Sequence, residues 1–327
     1  MWSDQLAQAA AFMRDHDDFL VVSHIQPDGD AISSTLAVGW MLDKLGKSFT
    51  MMNEGPVPSR LGYLWRCGDI IGCGDGDSEP ARRYRCVIAV DCADFARPGP
   101  AKRWFASDYQ LLNIDHHTTN DGFGDVNLVR PDAAATAEIL FELHRYMNFP
   151  LELDVATALY TGLLTDTGGF RYANTSPQVM EIASTLLQAG VQGADLAEHL
   201  LERMSVGQMR MIQRGLSRLQ FSDDSRVSWL WVTSEDLAET GASNEDLEGL
   251  VNYPRNIEGV EVGILFKENE TKSVKVSMRS SGLVNVAEIA RSLGGGGHAR
   301  AAGVRLTIPL ADAMEQVVAQ VRGALEA

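Results

Sequence analysis

The chain has 327 residues, 45% hydrophobic and 22% charged, which is ordinary for a soluble globular enzyme and long enough for two cores. Its 28 lysines and arginines against 44 aspartates and glutamates give a net charge of −16, which argues against a general coat for long nucleic acid. No apolar run approaches the roughly 18 residues of a membrane span, and Met1-Trp2-Ser3-Asp4-Gln5 shows neither the basic nor the apolar part of a secretory signal, so a cytoplasmic location and no membrane partner are expected.

Phe19-Leu20-Val21-Val22-Ser23 is a short apolar run suited to a buried strand. It leads into His24-Ile25-Gln26-Pro27-Asp28-Gly29-Asp30, where Pro27 and Gly29 bend the chain and three ligating side chains fall within seven residues. The bland alternatives are an Asx-turn for Asp28 and a helix cap for Asp30, because helical sequence follows from about 31 to 45. Strand-like stretches at 48–52, 86–90 and 109–114 come next. The second of these ends in Asp91, with Asp94 more plausibly a turn residue, and the third ends in Asp115-His116-His117. Residues 131–148 and 153–165 read as helices, the latter followed by Asp166 and stopped by Gly168-Gly169. An acid at a helix C-terminus works against the macrodipole and calls for a compensating cation. Beyond it, Ser176 and Pro177 are placed to cap and open the next helix.

This alternation predicts an α/β fold, a doubly wound and mostly parallel sheet over 1–190. Residues 191–220 read as a helical connector interrupted by Gly193, Gly207 and Gly215. A second, smaller α/β domain follows over 221–327, with strands near 227–232, 260–266, 273–278 and 304–308 and helices near 284–293 and 310–325. Between Thr271 and Arg305 stand Lys272, Lys275, Arg279, Arg291, Arg300 and Arg305 against the single acid Glu288.

Open α/β sheets bind ligands beyond their strand ends, so the acid-rich segments can converge. Carboxylates with some imidazole suit Mn²⁺ or Mg²⁺. Cys67, Cys73, Cys86 and Cys92 form no C-x-x-C pair, which leaves structural zinc without its usual ligands. So many carboxylates exceed what one ion needs. Two ions about 3.5–4 Å apart, as in phosphoester hydrolases, would use them.

Ser23-His24-x-x-Pro27-Asp28-Gly29-Asp30, Val90-Asp91, Asp115-His116-His117 and Thr165-Asp166-Thr167-Gly168 resemble, in order, the four motifs of the DHH phosphoesterase superfamily. Gly294-Gly295-Gly296-Gly297-His298-Ala299-Arg300-Ala301-Ala302-Gly303 resembles the signature of the DHH-associated C-terminal domain. Length and layout, together with Asn120, Phe123, Asn127 and Thr136-Ala137-Glu138, are similar to the NrnA-type group of oligoribonucleases (nanoRNases) and pAp phosphatases. The resemblance implies a Mn²⁺-dependent phosphodiesterase, with Mg²⁺ as the alternative ion. Such an enzyme cleaves very short RNA to 5′-mononucleotides and dephosphorylates 3′-phosphoadenosine 5′-phosphate (pAp) by two-metal in-line hydrolysis.

By the same resemblance His24, Asp28 and Asp91 bind one metal, and Asp30, Asp91, His116 and Asp166 the other, with Asp91 bridging. His117 faces the scissile phosphate and Asp115 supports an imidazole from behind. Arg279, Ser280, Gly295, Gly296, Gly297, His298 and Arg300 bind the substrate's far phosphate or base, the glycines through open backbone amides. The active site is expected in the cleft between the domains. Partners are short RNA, pAp and pApA, and apolar helices could serve a homodimer that nothing requires. The alternative substrates are linear or cyclic dinucleotides (pApA, cyclic-di-AMP). A nucleotide sensor without catalysis would lack ligands, whereas every ligand position here is filled. A RecJ-type exonuclease would need further domains, and a family II pyrophosphatase carries an Arg/Lys-rich signature in place of the glycine run. A membrane-bound cyclic-di-AMP phosphodiesterase would carry transmembrane and sensor segments.

Overall fold

The computed structural model describes residues 2–74, 76, 78, 80–269 and 273–326, with His298 described by its backbone alone. Lys272 of the basic stretch lies outside these residues. The chain divides into two compact units, Met1–Arg203 and Met204–Ala327. Residues 191–203 therefore belong to the first unit and 204–220 to the second.

The first unit runs α1 (Trp2–Asp15), β1 (Phe19–Val22), α2 (Gly29–Lys44), β2 (Phe49–Glu54), β3 (Ile71–Cys73), β4 (Tyr84–Val90), β5 (Phe105–Asp115), β6 (Val126–Val129), α3 (Thr136–Tyr146), α4 (Leu153–Asp166), α5 (Pro177–Gln188) and α6 (Gly193–Ala197). Its six strands lie in the order β3-β2-β1-β4-β5-β6, and every pairing is parallel. This is the doubly wound sheet that the alternating pattern predicts. Successive residues of each strand serve opposite faces. Val21, Ile88, Val90, Leu112 and Ile114 enter one core with α1 to α5, while Leu20, Val22, Val87, Ala89 and Leu111 enter the other. Each fully buried side chain of this size contributes about 1.5–3 kcal/mol.

Several boundaries differ from expectation for identifiable reasons. No element is predicted before residue 19, yet Leu6, Ala9, Ala10 and Met13 recur at helical spacing and bury one face of α1. The helix expected from 131 begins only at Thr136. The preceding turn is closed by Glu138, whose carboxylate accepts from the Ala134 amide at 2.7 Å. Ser176 does cap α5, accepting from the Val179 amide at 3.2 Å, with Pro177 as first helical residue. Gly207 and Gly215 do not interrupt the next helix but lie inside it. The break falls at 203–205, where Ser205 supplies the cap.

The second unit runs α7 (Val206–Leu216), β7 (Gln220–Phe221), β8 (Val227–Thr233), α8 (Ser234–Thr240), α9 (Asn252–Arg255), β9 (Val262–Glu268), β10 (Val274–Ser280), α10 (Val286–Ser292), β11 (Gly296–His298), β12 (Ala301–Leu306) and α11 (Leu310–Glu326). Its sheet, ordered β11-β12-β10-β9-β8-β7, is mixed, with β8 and β9 parallel and the other pairs antiparallel. One face packs against α10 and α11. The other is covered over β8 and β9 by Met211, Ile212, Leu247, Leu250 and Val251. No helix among the described residues is long and apolar enough to cross a membrane.

Candidate metal centre

The strands β1 and β4 are central neighbours, and their chains continue to opposite sides, β1 to β2 and β4 to β5. Such a switch point opens a crevice beyond the carboxyl ends of the strands. His24 lies two residues past β1, Asp91 directly follows β4, and Asp115 closes β5. Asp91 adopts a left-handed φ of +57°, rare for a residue other than glycine, and its amide is tied to the Ile114 carbonyl at 3.0 Å. Strain of this kind costs on the order of 1–3 kcal/mol and persists where neighbours over-determine it.

Asp91 presents one oxygen to each side. Its Oδ2 lies 3.4 Å from His24 Nε2, which is also 3.8 Å from Asp28. Its Oδ1 lies 3.5 Å from His116 Nε2, which in turn is 3.3 Å from Asp166. These separations exceed good hydrogen bonds but suit two ligands of one ion, which sit roughly 3 Å apart at octahedral angles. Among the described residues three overlapping groups could hold a metal: His24, Asp28 and Asp91; Asp30, His116 and Asp166; and Asp91, His116 and His117. His24 Nδ1 faces the Ile25 carbonyl at 2.9 Å and His116 Nδ1 the Ala133 carbonyl at 3.3 Å. A carbonyl can only accept, so both rings carry hydrogen on Nδ1 and turn Nε2 inward. The donor set, carboxylate oxygen with two imidazoles, fits a hard divalent cation. The thiol of Cys92 is buried and turned to the Val90 carbonyl, and burial first, then Asp91 and Asp115, raise its pKa well above the usual range.

His117 is oriented differently. Its Nδ1 is 2.7 Å from Asp115 Oδ1 and only 3.7 Å from Asp91, so that nitrogen is committed to Asp115. Asp115 is completely buried, and its Oδ2 accepts from Asn120 Nδ2 at 2.6 Å. Asn120 also donates to the Cys92 carbonyl and accepts from Asn113 and Gly122, and Asn113 reaches Asn127. A closed amide lattice therefore aims Asp115 at His117.

Asp30 is not the cap of its own helix; Asp28 is, accepting from Ala31 at 3.1 Å. Asp30 instead receives the first amides of α3, Thr136 at 2.6 Å and Ala137 at 3.1 Å, and the Thr136 hydroxyl reaches Asp91 Oδ1 at 3.0 Å. Gly162 lets α4 approach, because a Cβ there would come within 2.5 Å of Asp30 Oδ1. Thr136 and Asn113 are the residues whose roles local sequence does not assign. A polar residue inside the apolar run 109–114 was the available signal for Asn113.

Burial, then Asp91 and Asp28, drive the Asp30 pKa well above the carboxylate range. Burial, then Asp30, Asp28 and Asp91, do the same to Asp166. Burial disfavours charge on His24, but Asp28 and Asp91 outweigh it and hold its pKa well above normal. Burial likewise opposes the Asp91 carboxylate, and His24, His116 and His117 overcome it and pull its pKa below the usual range. Acid faces acid here, and the balance is one that a bound cation would resolve.

The remaining expected residues lie in the second unit. Arg279 and Ser280 end β10, and Gly296 to His298 form β11 beside β12. The amides of Gly294 and Gly295 are not open to a phosphate. They donate to the Arg291 and Ala290 carbonyls at 3.0 and 2.7 Å and close α10. A Cβ at Gly295 would also meet the Gly303 carbonyl at 2.3 Å, so close strand pairing accounts for that glycine. Ser280 is buried, its hydroxyl accepting from the Gly282 amide at 3.0 Å. Arg300 is exposed. The side chain of His298 lies outside the described atoms.

Residues 18–163 match the DHH family, N-terminal domain, and residues 227–327 the DHHA1 domain. Over 312 residues the chain is 35% identical to the bifunctional oligoribonuclease and PAP phosphatase NrnA of Thermus thermophilus, covering 92% of this chain and 88% of that protein. It is 28% identical over 232 residues to the cyclic-di-AMP phosphodiesterase PdeA of Listeria monocytogenes, covering 67% of this chain and 33% of that one. A solved exopolyphosphatase-related protein of Bacteroides fragilis matches with a TM-score of 0.88 at 27% identity, covering 99% of this chain and 96% of that chain.

Proposed function

The chain belongs to the DHH phosphoesterase family, and from that premise we propose that it is a cytoplasmic, Mn²⁺-dependent phosphodiesterase of very short oligoribonucleotides that also removes the 3′-phosphate of pAp. One observation carries the reading: Asp91 turns one oxygen to the His24 side and the other to the His116 side, while His117, held by Asp115, stands outside both groups. The relative that covers most of the chain is named for these two activities.

His24, Asp28 and Asp91 would hold one cation, and Asp30, Asp91, His116 and Asp166 the second. Two divalent cations in this donor set supply Lewis acidity, lowering the pKa of water and offsetting phosphate charge. The protein's own groups do the rest. Thr136 fixes Asp91 and Asp30 so that no carboxylate reorients as charge develops. His117 keeps Nδ1–H on Asp115 and uses Nε2 to stabilise or protonate the departing oxygen. Arg279, Gly296, Gly297, His298 and Arg300 would hold the substrate away from the reacting phosphorus.

The test is a substrate panel with Mn²⁺: 5′-labelled RNAs from dinucleotides to long oligomers, pAp, pApA, cyclic-di-AMP and pyrophosphate. Release of 5′-mononucleotides from the shortest RNAs, with phosphate from pAp, is the expected result. Turnover of pyrophosphate alone overturns the reading. Turnover of cyclic-di-AMP alone moves the protein to the cyclic-dinucleotide enzymes.

A further inference from the structure

The strands β9, β10 and β12 place like charges side by side. Lys275 lies directly opposite Lys267 on one neighbour and opposite Arg305 on the other. Residues so paired project to the same face, and like charges directly opposite one another oppose sheet formation. Burial and the neighbouring cations lower the pKa of both lysines, Arg305 and Arg279 acting on Lys275, and Lys275 and Arg305 on Lys267. The alternate residues Val274, Val276 and Met278 occupy the core, so the cations stand on the opposite face.

That face is built like a track. The next rung along it is small and flat, with Ser277 opposite Gly303 and Gly303 opposite Gly296. The rung after that brings Arg279 opposite Ala301, which is itself opposite His298 in β11. Two basic rungs are thus separated by a floor of small residues, and roughly 13 Å of strand lies between Arg279 and Lys275. Helices cover this face only over β8 and β9. Lys275 and Arg305 are exposed. In a chain of net charge −16, a basic track selects a polyanion locally where the whole molecule would repel one. Its spacing exceeds the separation of the two phosphates of one nucleoside bisphosphate.

We propose that Lys275 and Arg305, backed by Lys267, form a second phosphate-binding rung for the RNA backbone, distinct from the one at Arg279, and so favour oligonucleotides over single nucleotides. The inference rests on the proposed function for its substrate class and adds a basis for choosing among substrates. Charge-assisted contacts from an ammonium and a guanidinium would hold one phosphodiester, with no reading of base identity.

The experiment compares wild type with Lys275→Gln/Arg305→Gln, a pair of exposed positions, with melting temperature checked first. Fluorescently labelled pentanucleotide, dinucleotide and pAp are titrated with chelator present, so that nothing is cleaved, and KM and kcat are then measured with Mn²⁺. Pentanucleotide affinity should fall roughly tenfold, and its log–log salt slope should shrink by about 1.4, or ~0.7 for each lost contact. The dinucleotide should lose less, and pAp should bind as before. Equal loss for all three ligands, or none for the pentanucleotide, overturns the rung. Wild type that binds the pentanucleotide through these residues but hydrolyses neither RNA nor pAp would sink the proposed function and leave the rung standing.

Discussion

Two buried acid sites in this molecule are handled in opposite ways. Asp236, in the second unit, is 2% exposed and answered entirely by its own chain. Arg218 reaches it at 2.5 and 2.9 Å, Arg214 at 2.8 Å, and the Thr233 amide closes a capping box at 2.8 Å. Burial would raise its pKa, but Arg218 and Thr233 outweigh burial and hold it below the usual range. Asp30 and Asp166, in the first unit, face Asp28 and Asp91 instead, and their pKa values rise. A carboxylate needed only for folding brings its cation from the same chain. Carboxylates that face one another await a cation from solution.

The sharpest way to break this contrast is to remove the acid shared by both metal groups. Asp91→Ala should reduce turnover to background and abolish calorimetric Mn²⁺ binding, while circular dichroism keeps the native spectrum. Activity near that of wild type would remove the bridging role. His117→Ala should lower kcat by on the order of 10²–10⁴-fold yet leave Mn²⁺ affinity unchanged, because its Nδ1 is committed to Asp115. A matching loss of metal affinity would make it a ligand after all. Asp115→Asn should cost roughly 10–100-fold in kcat, as partners of this kind do; unchanged kcat would reduce the Asn113–Asn120–Asp115 lattice to a packing device.

The pH dependence should differ in sign between the two sites. Asp30 and Asp166 have raised folded pKa values, so in metal-free protein their contribution to stability is full below about pH 3.9 and is lost as pH rises through the raised values. Asp236 is depressed, so its contribution is present above about pH 3.9 and is lost as pH falls through the lower value. Added Mn²⁺ should therefore release protons into weakly buffered solution and raise the melting temperature more at neutral pH than at acid pH. Proton uptake on binding would contradict the assignment. The smallest effect belongs to the self-sufficient site. Arg218→Ala should destabilise the protein by about 1–3 kcal/mol in urea titration without altering kcat, and a kcat change would show that Asp236 is more than structural.

The strand ends were legible because apolar runs such as Phe19–Val22 and Val87–Val90 declare buried strands wherever they fold. The acids that follow them are legible for the same reason. The start of α3 was not, because its first amides are spent on Asp30, more than a hundred residues earlier. Nor were the amides of Gly294 and Gly295, which look open in sequence and are consumed in closing α10. The row of Lys267, Lys275 and Arg305 could not be seen as a row, since only strand register makes them neighbours.

Sequence by itself determined the doubly wound order of the first unit and the four acid-rich segments at element ends, with their family. These depend on local periodicity and on residue chemistry, which a linear chain carries openly. Tertiary structure alone decided the division of labour within Asp115-His116-His117. His116 turns to Asp91 and Asp166, His117 is held by Asp115, and Asp115 is held by Asn120. Hydrogen-bond partners are chosen by packing between distant elements, so three adjacent residues of similar chemistry can receive three different tasks.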